Sequence, residues 1–324
     1  MNLEGFENLN AMRIIFLFLG TFAFSSGQNS HAGPCRPGEN DSLRKNKIPR
    51  IQKSSIIGAR VPCVDGFANE YPCSNIDLDS FVSLEDMNGN SDVEGNDVWG
   101  WEKDGRMFAI VGMSTGTAFV EVTDSINPIV IGSLPTHSVS SDWRDIKTYQ
   151  DHAYIVSEAG NHGLQIFDMN ELLTATPYTT FTETNHYNRF QKAHNIFINE
   201  DTGYAYVVGS SSGSIQCDSG LHMIDLSDPA NPDFAGCYSD RGYTHDVQCV
   251  VYNGPDSAHN RKEICFASNE GTMDIIDVTD KSNPVLLSVF SYFGAMYVHQ
   301  GWLTEDQRYF LIDDELDDII INNG

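Results

Sequence analysis

The sequence predicts an all-β chain that folds as a β-propeller of four-stranded blades. A short β-run that ends in an acidic turn with Asn-Pro recurs along the chain, and the aligned acidic positions 124, 171, 228 and 280 lie 47, 57 and 52 residues apart. A period of about fifty residues with only short β-runs inside each unit is typical of propeller blades. No long stretch of helical periodicity occurs outside the N-terminal apolar run.

Composition excludes several classes of partner. The 324 residues include 45 acidic and 19 basic side chains, a formal net charge of -26, and 40% of the residues are hydrophobic. That much apolar material can form a core, so the chain is not expected to be disordered as a whole. The acidic balance argues against nucleic acid and against an anionic membrane surface, because both require a basic face.

The N-terminus has the features of a secretory signal peptide. Arg13 precedes an apolar run over residues 14–24, and Ser25 and Gly27 supply small residues before a cleavage point. The run is too short to span a bilayer comfortably. Met1 and Met12 both remain possible starts. We expect a signal peptide at 1–27, a polar segment at 28–60 and a propeller domain at 61–324, and therefore an extracellular protein.

Export permits disulfide bonds and glycosylation. Seven cysteines follow the signal: Cys35, Cys63, Cys73, Cys217, Cys237, Cys249 and Cys265. Cys63 and Cys73 bracket a short loop and are expected to pair, whereas the odd total leaves the fate of Cys35 open. Asn40-Asp41-Ser42 is the single N-glycosylation sequon.

Each repeat unit divides into four short strands. The first two units are expected at about 97–135 and 143–182. In the third unit the predicted strands are Asn195–Ile198, Tyr204–Val208, Leu221–Leu226 and Asp233–Tyr238. In the fourth they are Val247–Tyr252, Glu263–Ala267, Met273–Val278 and Val285–Phe290. The turn after the third strand has the form Asp-x-x-Asn-Pro at Asp124, Asp228 and Asp280, since Asp and Asn accept turn geometry and Pro fixes φ, and the second unit carries a degenerate copy of the run at 164–169.

A fifth unit begins near residue 298 and supplies two strands, Tyr297–Leu303 and Tyr309–Ile312. About four and a half blades are therefore visible. We expect a propeller that is incomplete at its C-terminal end, because an open ring exposes an unpaired strand edge. The alternative is that the N-terminal segment around Ile76–Leu84 completes the last blade.

The motifs resemble a known family of secreted proteins. The run Met223-Ile224-Asp225-Leu226-Ser227-Asp228 looks like the LVIVD repeat. The wider set, found at residues 96–101, 141–146, 193–196, 242–246 and 299–306, resembles the choice-of-anchor B family over about 60–324. The resemblance implies export, a propeller-like fold and a C-terminal anchor that varies among members. It implies no established reaction.

In an antiparallel hairpin, the residue numbers of opposed residues have a constant sum. This sum predicts which side chains lie opposite each other on the inner strands, which line the channel. Cys249 and Cys265 give 514 and His245 with Glu270 gives 515, so the two cysteines face each other and can either form a disulfide or stay reduced. Cys217 and Cys237 would then pair in the preceding blade. The same arithmetic places Asp145 near Glu158 and His299 near Glu315. The predicted axial set is His194, His245, His299, Asp145, Glu158, Glu270 and Glu315.

This axial set leaves two interpretations open. Imidazoles with carboxylates can bind zinc, and a more oxygen-rich set suits calcium. Alternatively, the His–Glu pairs satisfy buried polar groups between inner strands. The four tryptophans, Trp99, Trp101, Trp143 and Trp302, lie near the starts of inner strands and serve either blade packing or ligand stacking.

The function expected from the sequence is extracellular binding or matrix structure on an acidic platform, matrix- or mineral-associated, with an extracellular protein, glycan or matrix component as partner. No catalytic residue is assigned and no cofactor is required, although a divalent metal (Ca or Zn) can be accommodated. The alternative is a metal-dependent hydrolase that works at the axial His/Glu set, where a metal activates water and a Glu moves its proton.

Overall fold

The computed structural model describes residues 54–316, except for residues 91, 212, 214 and 216. The described chain is almost entirely β-structure, which confirms the predicted fold class. The predicted signal peptide at 1–27, the sequon at Asn40 and the thiol of Cys35 lie outside the described residues. Within the described residues, no helix combines the length and the apolarity that a membrane crossing requires.

A small N-terminal substructure precedes the blades. Strands β1 (Phe67–Ala68) and β2 (Tyr71–Pro72) form a hairpin, and helix α1 (Leu84–Asn88) follows. The Ser83 side chain caps α1 by accepting a hydrogen bond from the Asp86 N–H, and Gly89 ends the helix in the left-handed region with φ 69°.

This substructure corrects one expectation about the last blade. Ile56 bridges to Phe81 and Val61 to Leu78, so the segment at 76–84 pairs with residues just before it. Val82 of this segment, and Met87 just after it, pack against the first blade. The alternative that this segment completes the last blade is therefore wrong for the described residues.

Four four-stranded blades follow. The first contains β3 (Gly95–Lys103), β4 (Arg106–Met113), β5 (Gly116–Glu121) and β6 (Ile129–Pro135). The second contains β7 (Arg144–Tyr149), β8 (His152–Ser157), β9 (Leu164–Asp168) and β11 (Asn185–Tyr187). The third contains β12 (Asn195–Asn199), β13 (Tyr204–Val208), β14 (Leu221–Asp225) and β15 (Asp233–Tyr238). The fourth contains β16 (Asp246–Val251), β17 (Glu263–Ser268), β18 (Met273–Asp277) and β19 (Val285–Phe290).

A fifth unit contributes β20 (Val298–Leu303) and β21 (Phe310–Asp314) among the described residues. Each blade is a meander in which consecutive strands pair antiparallel. The innermost strands β3, β7, β12, β16 and β20 belong to different sheets, yet each lies beside the next. That side-by-side arrangement of inner strands is the radial geometry of a β-propeller.

The second blade differs from the predicted limits of 143–182. After β9 the chain forms a 3₁₀-helix over Met169–Leu173. It then adds a two-residue strand, β10 (Thr179–Thr180), parallel to the outer strand of the first blade. Only after this crossing does it form β11, the outer strand of its own blade. The prediction stopped too early because a parallel two-residue strand has no periodic signal.

The acidic turns behave as the sequence predicts. The Asp124 carboxylate accepts hydrogen bonds from the Ile126 N–H and from both nitrogens of Asn127. Asp228 accepts the corresponding bonds in the third blade. The Asn127 side chain and the backbone N–H groups lower the pKa of Asp124. Much of the acidic surplus therefore serves turn geometry.

The apolar core lies between neighbouring blades. Phe119 of the first blade packs against Phe167 of the second, with ring centroids 4.9 Å apart. Equivalent clusters join the second blade to the third, the third to the fourth, and the fourth to the fifth unit. Trp99 and Trp101 pack against the cluster between the first two blades, which is the packing role considered for them. Their indole N–H groups donate to Thr148 and Asp151 of the second blade.

Three disulfides reinforce this architecture. Cys63–Cys73 closes the N-terminal hairpin, Cys217–Cys237 lies in the third blade, and Cys249–Cys265 joins β16 to β17 in the fourth. The register Cys249↔Cys265 is the one that the index sum predicts. Disulfides of this kind are typical of proteins from oxidising compartments.

In the first and third blades, a glycine on the outer strand allows the neighbouring backbone to approach closely. Gly236 of β15 stands opposite Met223, just before a β-bulge, and a Cβ there would lie 1.8 Å from the Lys281 carbonyl oxygen of the fourth blade. Gly132 of β6 occupies the same register position and faces the Thr179 carbonyl in the same way. In the fourth blade this position is Ser288, which is exposed.

We expect Gly236→Ala to lower the free energy of unfolding by about 1–3 kcal/mol, because the new methyl group forces two blades apart. Denaturant unfolding would measure the loss. Ser288→Ala is the matched control at the same register position and should change stability by less than about 0.5 kcal/mol. Equal stability of the two variants would contradict this account of blade contact.

Candidate ligand site on the propeller axis

A cavity of about 490 Å³ opens at the axis, where the inner strands begin. Its lining comes from all five inner strands and the residues beside them. It comprises Asn96, Asp97, Trp99, Trp143, Arg144, Asp145, Lys147, His194, Asn195, Ile196, Phe197, His245, Asp246, Val247, His299, Gln300, Gly301, Trp302 and Glu315. The cavity therefore combines carboxylates, imidazoles and tryptophans.

Polar side chains tie each inner strand to its neighbour. Asp97 of β3 accepts a hydrogen bond from the Ile146 N–H of β7 at 3.0 Å. Asp145 of β7 accepts one from the Ile196 N–H of β12 at 2.7 Å. Inner strands of different blades share no ladder, so these bonds satisfy backbone groups that have no partner within their own sheet.

Similar side-chain-to-backbone hydrogen bonds link the next inner strands around the axis. The Asn195 amide of β12 donates to the His245 carbonyl at 3.1 Å. The Gln248 side-chain oxygen of β16 accepts from the Leu303 N–H of β20 at 2.8 Å. We call this set of side-chain-to-backbone bonds, carried by Asp97, Asp145, Asn195 and Gln248, the axial ties.

Three carboxylates surround a single lysine beside the axial ties. Lys147 Nζ lies 2.6 Å from Asp145 Oδ1 and 4.5 Å from the centre of the Trp99 ring. Burial works against the charged lysine, but Asp145 and Asp97 outweigh it, so the pKa of Lys147 is raised. Burial and the neighbouring Asp145 charge raise the pKa of Asp246 to about 6.

Asp97 holds a proton more strongly than Asp246 does. Burial, and then the charge of Asp145, raise its pKa to about 7, although Lys147 opposes the shift. A hydrogen bond between the Asp97 and Asp145 carboxyl groups also raises the pKa of Asp97. The Asp97 carboxyl group therefore holds its proton up to near-neutral pH.

The three predicted histidines form a row. The His194 and His245 ring centroids lie 4.2 Å apart, and those of His245 and His299 lie 4.4 Å apart. Burial, followed by its two histidine neighbours, lowers the pKa of His245 to about 3. The central ring is therefore neutral in the physiological range.

Each ring of this row already has a partner at Nδ1. His194 Nδ1 lies 2.6 Å from Glu158 Oε1, and His245 Nδ1 lies 2.9 Å from the His299 carbonyl. His299 Nδ1 lies 3.2 Å from Asp313 Oδ2. These contacts match the interpretation in which His–carboxylate pairs satisfy polar groups between inner strands.

Only some of the predicted site residues line the cavity. His194, His245, His299, Asp145 and Glu315 line the cavity, whereas Glu158 and Glu270 do not. The register of β7 and β8 differs by two residues from the predicted one, because Asp145 pairs with Val156 and the Glu158 N–H bonds to the Trp143 carbonyl. Glu158 instead contacts His194 of the following blade. Glu270 bridges to Val298 through its backbone.

Sequence reasoning missed Asp97, Lys147 and Asp246. Asp97 directly follows Asn96, and Asp246 directly follows His245. Alignment of these inner-strand starts with the one that contains Asp145 would have predicted both residues. Lys147 had no signal, because only the fold brings it among three carboxylates.

The ligand atoms of the axial histidines do not form a compact set. Among the residues that the structure describes, one group of three His, Cys, Asp or Glu side chains has ligand atoms that all lie within 4.8 Å of one another. That group is His137, Glu183 and His186, away from the cavity lining. A shared metal at His194, His245 and His299 stays a prediction from the sequence.

Comparison with known protein families identifies the repeat. The family model described as LVIVD repeat matches residues 192–240 and 264–292, which cover most of the third blade and most of the last three strands of the fourth. The chain therefore contains LVIVD repeats. No curated protein matches the sequence.

Several solved structures are similar to the chain at low identity. The Myceliophteria thermophila Cps50 (Swd1) β-propeller domain is 11% identical with a TM-score of 0.42, over 69% of this chain and 65% of that one. Chaetomium thermophilum Raptor is 11% identical with a TM-score of 0.49, over 74% and 20%. Kuenenia stuttgartiensis hydrazine synthase is 14% identical with a TM-score of 0.44, over 63% and 51%. The chain spans less than two thirds of each, and the propeller assignment rests on the strand order.

We expect Asp97→Asn to change how stability depends on pH. Burial raises the pKa of Asp97 to about 7 in the folded protein, whereas the ordinary pKa of an aspartate is 3.8. Between those values the folded state binds more protons than the unfolded state, so this group makes stability fall as pH rises. The asparagine side-chain oxygen can still accept a hydrogen bond from the Ile146 N–H. Because asparagine does not titrate, this contribution to the pH dependence of stability is lost.

Denaturant unfolding at a series of pH values between 4 and 8 would test this. The stability of Asp97→Asn relative to the parent should increase steadily from about pH 4 to about pH 7. Asp124→Asn is a control, since its pKa is lowered rather than raised. A pH-independent difference in stability between Asp97→Asn and the parent would contradict the raised pKa of Asp97.

Proposed function

We propose that this extracellular-type LVIVD-repeat propeller is a secreted, non-catalytic binding protein of the choice-of-anchor B group. Its axial cavity holds part of an extracellular partner. The observation that carries the proposal is the set of axial ties, because the polar groups of the cavity floor already bond to protein. A floor built this way is rigid before a ligand arrives, which lowers the free-energy cost of binding.

The charges of the cavity indicate what it binds. The lining holds four acidic side chains, Asp97, Asp145, Asp246 and Glu315, against two basic ones, Arg144 and Lys147. The chain as a whole carries a net charge of -26. A cationic group of the partner would therefore be attracted to the cavity and would displace the proton held by Asp97.

An aromatic side chain at the cavity supplies an apolar contact. The Trp302 side chain is 57% exposed, and its ring lies 6.1 Å from that of Phe197. Exposed tryptophan beside carboxylates is suited to a lysine or arginine side chain, through cation–π contact and ion pairing. A matrix protein with exposed basic side chains fits this surface better than a mineral does.

The competing function is a metal-dependent hydrolase. Such an enzyme needs a metal with an open position and a base to accept the proton of its water. The axial histidines give less support to this role than the charged and aromatic lining gives to binding, because their ligand atoms do not form a compact set among the described residues.

An array of immobilised matrix proteins and glycans would test the binding function. We expect binding that weakens at high salt, because contacts between opposite charges are screened. Trp302→Ala should weaken it about tenfold or more, as loss of an aromatic anchor does. Tyr309→Ala removes an aromatic ring that is 65% exposed and lies outside the cavity lining, so it serves as the matched control.

The same preparations would test the competing hydrolase. After loading with Zn²⁺ or Ca²⁺, the protein should not turn over a panel of ester, phosphoester and glycoside substrates. Turnover that disappears in His299→Ala would overturn the binding proposal. Equal binding by Trp302→Ala and the parent would overturn the assignment of the cavity as the binding site.

A further inference from the structure

A second cluster of titratable side chains lies where the first two blades meet. His137 follows the outer strand β6, Glu183 lies in the segment that crosses between the blades, and His186 belongs to β11. One ligand atom from each of the three lies within 4.8 Å of the other two. His137 Nδ1 is 2.9 Å from Glu183 Oε1, and the His137 and His186 rings stack at 3.6 Å with an interplanar angle of 9°.

The groups behind this cluster orient its ligand atoms. His186 Nε2 lies 2.6 Å from the His162 carbonyl, so this nitrogen carries the proton and Nδ1 keeps its lone pair. Glu183 Oε2 accepts a hydrogen bond from Gln165 Nε2 at 2.9 Å. A histidine that donates to a backbone carbonyl, beside a carboxylate with its own donor, is the outer-shell pattern of protein metal sites.

A buried polar network fixes those outer groups. Gln165 is 2% exposed and also donates to the Pro135 carbonyl. His162 is fully buried, and its Nε2 lies 3.0 Å from Arg144 Nη1. Arg144 is 1% exposed and also donates a hydrogen bond to the hydroxyl of Thr136, the residue before His137. The cluster is thus held from both blades, although His137 itself is 31% exposed at its side chain.

We propose that His137, Glu183 and His186 form a binding site for a divalent transition metal, with Zn²⁺ as the best fit. Two neutral imidazoles and one carboxylate are ligands that zinc prefers, and they give the set a single negative charge. Exposure of His137 leaves one side of the site open to water. The site is independent of the axial cavity and of the proposed binding function.

The place of the site in the fold predicts its effect. The Phe181 N–H donates to the Ser133 carbonyl of the first blade, and the Thr184 N–H donates to the Ile166 carbonyl of the second, so the crossing segment is attached to both blades. A metal held by His137 on one side and by Glu183 and His186 on the other adds a link across this junction. Binding to the folded state alone should raise the melting temperature with metal concentration.

Calorimetric titration of the chelator-treated, full-length protein with Zn²⁺ at pH 7.5 would test the proposal. We expect one equivalent to bind, Co²⁺ to bind at the same site with a visible d–d absorption, and the metal to be released at acidic pH, where protons compete for the imidazole nitrogens. His137→Ala and Glu183→Gln should abolish stoichiometric binding. Gln165→Leu should weaken binding about 10–100-fold through loss of the outer-shell donor.

Two controls separate this site from the axial histidines. His299→Ala removes an axial ring, and His152→Ala removes a histidine that bonds to the Gln150 carbonyl elsewhere on the second blade. Both should bind Zn²⁺ as the parent does. Absence of stoichiometric binding, or its loss in His299→Ala with retention in His137→Ala, would overturn the proposal. Because His137 is on the surface, metal-free His137→Ala should melt like the parent, which a folding check would verify.

Discussion

The axial ties are the constraint on which the rest of the structure depends. A propeller must hold inner strands side by side although they belong to separate sheets, and apolar packing between blades gives that contact no fixed register. Asp97 and Asp145 supply the register, because each carboxylate accepts one particular N–H of the next inner strand. Asn195 and Gln248 do the same with neutral amides. The cavity is the space that remains above these bonds.

This constraint explains why the axis looks like a catalytic site in the sequence. Histidines and acids at the starts of inner strands are the residue types of metal and acid–base chemistry. Here several of them bond to backbone groups or to one another, and burial moves the pKa of Asp97 up and that of His245 down, so that each favours its neutral form. Because these groups are neutral and already hydrogen-bonded, they form a rigid cavity wall. Ligand binding then depends on the net charge and on Trp302.

The fold could be predicted largely from the sequence, because its turns and strands carry local signals. The Asp-x-x-Asn-Pro turns, the strands of the third and fourth blades and the Cys249–Cys265 register all follow from short-range patterns. The site could be predicted only in part. Index sums relate residues of one blade, so they found His245 and the start of β16 but placed Glu158 opposite the wrong residue. Contacts between blades, such as Glu158 with His194 or His137 with His186, have no periodic signal.

The spacing of the axial ties has a kinetic meaning. Asp97 bonds to a residue 49 positions away, Asp145 to one 51 positions away and Gln248 to one 55 positions away, so every tie spans about one repeat. Closing a loop of that length has a similar entropic cost each time, and the cost grows only slowly with length. Folding is then expected to advance from one blade to its neighbour at a pace set by these repeated closures, rather than to wait for one distant contact.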